Sequence, residues 1–277
     1  MPATWGKVAR SGARVVRPAP DREDMPDPEK RDRGRPPEWQ PEQWTKEQPA
    51  AGRGSPKADP GPPRPRSRKV SKVITQEVAA AVEASMAPRV ERRLGQAADA
   101  FERDHLTDAL RILRPLAKEA PSVPAVRELL GLALYGTGQW AAAAKELEVF
   151  RSLGGSVEQH PVLADCYRAL KRYVAAAELW DELREASPGA ALVTEGRIVA
   201  AGALADQGDM DGAIQLLERG PLRPSRGAAL HHARLWYALA DLYERAGDAP
   251  KARELFGRVV AVEPGLADAA ERLAGLG

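Results

Sequence analysis

The stretch Trp236-Tyr237-Ala238-Leu239-Ala240-Asp241-Leu242-Tyr243, followed by Gly247-Asp248, Ala252, Phe256 and Pro264, decides the fold. Its apolar residues recur at three- and four-residue steps, the period of one helix face. Gly247 ends that helix, because the turn needs a left-handed residue. A second run then carries small Ala252 and large Phe256, and Pro264 closes it because proline cannot continue a helix. The unit is a helical hairpin.

The same frame recurs upstream. Aligned on the small residue of the second helix, the units carry Ala109, Ala143, Ala176, Ala213 and Ala252, at spacings of 34, 33, 37 and 39. A small residue at that place lets two helices approach closely, ridge into groove. Four residues on stands a large apolar residue: Leu113, Leu147, Trp180, Leu217 or Phe256. The inter-helix turns read Arg103-Asp104-His105, Gly138-Gln139-Trp140, Lys171-Arg172-Tyr173, Gly208-Asp209-Met210 and Gly247-Asp248-Ala249. Pro121, Pro188 and Pro264 end units, Pro224 stands one place early, and Gly155 is the exception. The two longer spacings predict extra residues on the connections, near Ala191–Val193 and Ala228–His232.

This pattern resembles the tetratricopeptide repeat (TPR): W-x2-L-G-x2-Y, then a small residue, an aromatic and a proline. Only the glycine is absent, with Ala240 in its place. The resemblance implies an all-α fold, a right-handed α-solenoid of about five TPR-like hairpins in which each unit touches only its neighbours. Asp268–Leu276 reads as a C-terminal capping helix. Val70, Val73, Ile74, Val78, Ala81 and Val82 mark an amphipathic helix ending near Pro88, placed to cover the first repeat. The expected layout is a disordered arm at 1–69, the amphipathic helix at 70–89, and the solenoid with its cap at 90–277. Combined with a Pro/Arg-rich arm, the repeats resemble uncharacterised TPR proteins of high-G+C (actinobacterial) bacteria, which implies no activity.

The arm differs in composition from the body. Residues 1–69 hold 14 of 24 prolines and three of six tryptophans, with 16 Lys and Arg against 10 Asp and Glu. The remainder has 25 against 29, so a +6 arm joins a −4 body. Without periodicity or apolar surface, the arm offers nothing to offset the entropy of ordering. Trp39 and Trp44 stand out within it, because tryptophans are frequent anchors when a linear segment docks.

Chemistry is poorly supported. Asp209-x-Asp211-Gly212 with Glu218 resembles part of a calcium loop, but the alignment puts Ala213–Leu217 in a helix where an EF-hand needs a loop. Gly136-Thr137-Gly138 follows a helix, whereas a dinucleotide loop follows a strand. His231 and His232 are adjacent, so they are expected on different helix faces; His105 and His160 have no ligand spacing either. The one cysteine, Cys166, reads as a buried, inert thiol and suits a reducing, cytoplasmic setting. No apolar run is long enough for a membrane span. We expect no enzyme, metal or cofactor.

By resemblance, the first helix of each hairpin lines a concave face where peptides bind. The inward residues are Leu94, Ala98 and Phe101; Glu128, Leu132 and Tyr135; Asp165 and Arg168; Ile198, Gly202 and Ala205; and Tyr237, Asp241 and Glu244. The Lys and Asn with which chaperone co-factors of this family clamp a carboxylate are missing. The expected function is a scaffold or adaptor binding a peptide or helix of a partner protein. The alternative is a nucleic-acid-associated protein using Arg64, Arg66, Arg68 and Lys69, against which the ten acids of the arm argue. Opposite charges also suggest intramolecular docking of the arm, with Trp39 and Trp44 as anchors.

Overall fold

The computed structural model describes residues 72–224 and 228–276; the arm, with Trp39 and Trp44, lies outside the described residues. Twelve α-helices and no strand occur among the described residues. Helix α1 (Lys72–Ala81) precedes five hairpins: α2 (Ala87–Glu102) with α3 (Leu106–Glu119), α4 (Pro124–Gly136) with α5 (Trp140–Ser152), α6 (His160–Ala169) with α7 (Tyr173–Ala186), α8 (Ala190–Asp206) with α9 (Met210–Glu218), and α10 (Leu230–Arg245) with α11 (Ala249–Val262). A short 3-10 turn (Val157–Gln159) leads into α6, and α12 (Ala269–Gly275) closes the stack. The chain is an α-solenoid.

One turn geometry repeats five times. Asp104, Gly138, Lys171, Gly208 and Gly247 all take φ between 58° and 87°. In each case the next residue's N–H reaches the carbonyl five residues back: His105 to Ala100, Gln139 to Leu134, Arg172 to Tyr167, Asp209 to Leu204, and Asp248 to Tyr243, at 2.8–3.0 Å. This is the Schellman closure, which satisfies carbonyls that a helix end leaves orphaned. Asp104 and Lys171 adopt the left-handed conformation without the freedom of glycine.

Five residues beyond each left-handed position lies the small residue of the frame. Ala109, Ala143, Ala176, Ala213 and Ala252 are at most 1% exposed. The large residues behind them are also fully buried, except Trp180, which is half-buried with the Arg197 guanidinium 5.3 Å from its ring. The expected insertion at Ala191–Val193 is not a connection. Those residues form the opening turn of α8, which begins at Ala190 and runs 17 residues. Proline after a helix does not dictate how soon the next one starts. Pro88, expected to end the first helix, instead sits in the first turn of α2, where its missing N–H costs nothing.

Packing fixes which side is concave. The first helices of neighbouring units pack directly on one another, α2 on α4, α4 on α6, α6 on α8 and α8 on α10, more extensively than neighbouring second helices do. The first helices therefore line the shorter, inner side. Helix α1 packs on both α2 and α4, so it lies along that inner side rather than stacking end-on against the first hairpin. Its Val78 is fully buried, and Ile74, Ala81 and Val82 pack partly buried against the same core.

Candidate partner-binding groove

The inner face is built from one register of α2, α4, α6, α8 and α10. At its N-terminal end, Leu94, Phe101, Leu132 and Tyr135 are only 4–7% exposed. They serve as packing between units, with α1 lying over α2 and α4. At the C-terminal end Tyr237 is similarly buried, and its hydroxyl donates to Asp268 Oδ1 at 2.6 Å. Between the ends the face is more open. Asp165, Arg168, Ile198, Gly202 and Asp206 are partly or fully accessible there.

The polar residues are tied to one another across helices. Tyr135 donates to Asp165 Oδ2 at 2.7 Å, and Arg168 Nη1 donates to Asp165 Oδ1 at 2.8 Å. Arg168 Nε then reaches Asp206 Oδ2 at 2.7 Å, joining α6 to α8. Gly202 makes room for this arrangement: a Cβ there would stand 3.0 Å from Arg168 Cζ. Burial pushes the Tyr135 hydroxyl well up, and the Asp165 charge adds to it. At Arg168 burial opposes the charge, but Asp165 and Asp206 outweigh it and raise the guanidinium above its ordinary value.

Glu128 accepts from Gln159 Nε2 at 2.7 Å. Burial raises its carboxyl, and the neighbouring acids Glu158 and Glu77 raise it further against the help of Gln159. In the last unit Arg272 of α12 reaches back to Asp241 Oδ1 at 2.9 Å and, through Nε, to Glu244 Oε2 at 2.8 Å. Its guanidinium also lies 4.6 Å from the Phe256 ring. Glu128, Asp165, Asp241 and Glu244 are all hydrogen-bonded or ion-paired within the stack.

Several participants escaped the sequence reading, among them Arg272, Glu195, Arg234 and Asp206. Arg272 was missed because Asp268–Leu276 reads only as a cap, and nothing in its spacing ties it to the preceding hairpin. Glu195 and Arg234 bridge α8 and α10, Nη2 to Oε2 at 2.6 Å, with both side chains about nine-tenths buried. Burial raises the Glu195 carboxyl despite Arg234.

The residues that the sequence offers for chemistry hold structural places. Cys166 is buried, and burial followed by the Asp165 charge pushes its thiol far up. Asp209 caps α9 by accepting from Gly212 N at 2.9 Å, so the calcium-like stretch is a helix start. The His231 and His232 rings lie 4.0 Å apart although only His232 is buried, and His232 Nδ1 accepts from Ala229 N. His160 is buried against Glu182, 3.0 Å away. Among the described residues no three His, Cys, Asp or Glu converge as a metal site, and no helix is long and apolar enough to cross a membrane.

Two tetratricopeptide-repeat family models match the chain, one over residues 94–152 and one over 204–274. No curated protein matches it. Among solved structures, a thermophilic TPR protein of Thermus thermophilus superposes with a TM-score of 0.52 at 17% identity, covering 68% of this chain and 98% of that one. Nearly identical TPR-like repeats of a kinesin light chain from Podospora anserina superpose with a TM-score of 0.51 at 20% identity, covering 66% and 97%. At these identities the likeness is one of fold.

Proposed function

From a chain that carries tetratricopeptide repeats, we propose a protein-interaction scaffold or adaptor that binds a peptide or helix of a partner protein on its inner face. The carrying observation is the contrast along that face. Both ends are covered by the chain's own helices, while α6 and α8 leave Arg168 and Asp206 about one third exposed, at 30% and 35%. A guanidinium and a carboxylate held in fixed positions beside Ile198 offer a partner both orientation and an apolar contact. We further propose the division into an arm at 1–69, an N-terminal helical segment at 70–89 and the repeats at 90–277, in a cytoplasmic protein without catalysis. The lone buried thiol supports the last two points.

Affinity capture from native lysate with full-length bait tests this reading. Arg168→Glu and Ile198→Asp should lose the captured protein. Val174→Glu, on the outer helix α7 where Val174 is 76% exposed, should keep it. Capture that is indifferent to the inner-face changes, or sensitive only to Val174→Glu, overturns the proposal.

A further inference from the structure

The side of the stack away from the inner face holds a recess. A cavity of about 610 Å³ opens between α3 and α5, with Leu130 and Leu134 of α4 beneath it. Those two leucines stand two places on from Glu128 and Leu132 of the inner register, about 200° round the helix. Pro121 and Ala142 are exposed on its walls. One cation holds the recess together. Arg127 donates from Nε to the Pro121 carbonyl at 2.9 Å, from Nη2 to the Ala117 carbonyl at 3.1 Å and from Nη1 to Glu146 at 2.6 Å. Two further cations on the rim are not matched in this way. Arg114 donates to the neutral Gln139 Oε1 at 2.7 Å, and neither Arg114 nor Lys118 has a carboxylate partner among the described residues. Both are exposed and stand four residues apart on one face of α3. Like charges at that spacing repel and weaken a helix, so an anion held between them relieves the pair.

We propose that this recess is a second docking site, for a short acidic segment of a partner protein. Carboxylates of the segment meet Arg114 and Lys118, and an aliphatic side chain between them rests on Ala142 and Pro121. Charge complementarity names the occupant. Arg114, Lys118 and Arg127 against Glu146 leave the recess two charges positive, on a body that is −4 overall. A guanidinium with open N–H groups takes a carboxylate in a fork, and the neighbouring ammonium takes a second as a point charge. Nucleic acid fits less well: two open cations are few for a phosphate backbone, and no aromatic ring is among the described residues that line the recess. The site stands apart from the inner-face reading, because the two surfaces share no residue.

Fluorescence anisotropy on the full-length protein at low salt tests it, with a labelled peptide of one leucine between two pairs of glutamates as the probe. The peptide should bind saturably, and Arg114→Glu with Lys118→Glu should weaken it at least about ten-fold. Ala142→Trp fills the recess and leaves the cations, so affinity should fall to that of the same peptide with glycine for leucine. Arg184→Glu with Arg258→Glu, an equal charge change on the outer helices α7 and α11, should leave binding unchanged, as should Arg168→Glu on the inner face. Circular dichroism checks that the variants fold; if the first pair does not, Arg114→Gln with Lys118→Gln takes its place. No saturable binding, equal binding of a peptide with glutamine for glutamate, equal loss in the control pair, or unchanged affinity in Ala142→Trp overturns the proposal. So does tighter binding of a single-stranded RNA of the same charge at the same residues. Any of these leaves the inner-face reading as it was, since capture sensitive to Arg168→Glu reads the other surface.

Discussion

Lys171 holds φ at 58° in a turn where three of the five repeats use glycine. A side chain there crowds the backbone, so Lys171→Gly should raise stability by about 1 kcal/mol, read as a higher urea midpoint with unchanged slope. The small residues at the helix crossings predict the opposite sign. Ala143→Leu, Ala176→Leu or Ala213→Leu should each overpack a site with no free space and cost about 1–3 kcal/mol; three unchanged melting temperatures would refute the register. Glu128 gives a pH signature. Burial, then Glu158 and Glu77, raise its carboxyl in the folded chain. Between its unfolded and folded pKa the folded state therefore binds more protons, and stability falls as pH rises through that window. Glu128→Gln should flatten this slope and raise the melting temperature at neutral pH, while leaving stability below the window unchanged. Melts across the acid-to-neutral range check it.

The hairpins differ from the helices at either end in what holds them. Inside the stack each helix is buried on two sides, whereas α1 and α12 depend on a few anchors. Full burial of Val78 contributes about 1.5–3 kcal/mol, and an isolated helix of ten residues is marginal in water, so α1 sits close to balance. The cap depends on Arg272, which joins Asp241, Glu244 and the Phe256 ring. Arg272→Ala should cost about 2 kcal/mol, less than a fully buried pair because the side chain keeps some solvent contact, and should fray α12 first in hydrogen exchange. The hairpins were legible because turn, small residue and large residue recur in one frame, each with its own steric reason. The seat of α1 was not: a periodic stripe says that one face is covered, but not by which neighbour. The start of α8 was hidden because Pro188-Gly189-Ala190-Ala191 lacks a polar cap and looks like linker. At the inner face, sequence register chose residues that do line the first helices, but it could not tell accessible groove from packing. Tyr135 and Arg168 stand at the same place in the frame, eight residues before the crossing alanine, yet Tyr135 is buried and Arg168 is partly exposed.

Among the described residues, most buried apolar residues fall into two clusters, Val78 to Leu179 and Ala201 to Ala269. The break falls at the junction of the third and fourth hairpins, where the Arg168–Asp206 bridge crosses between helices. Stacked repeats gain stability from nearest neighbours, so a chain ending at Pro188 should keep the helix content of its three hairpins, measured by circular dichroism; its collapse would show that the two clusters fold only together. The proposed binding of a partner on the inner face carries the functional expectations above, the recess between α3 and α5 apart. Hydrogen exchange on the full-length chain, with and without the captured partner, reads it out helix by helix. New protection should appear on α4, α6 and α8. Protection confined to the outer helices α3, α5, α7, α9 and α11, or to the arm, would contradict the inner-face reading.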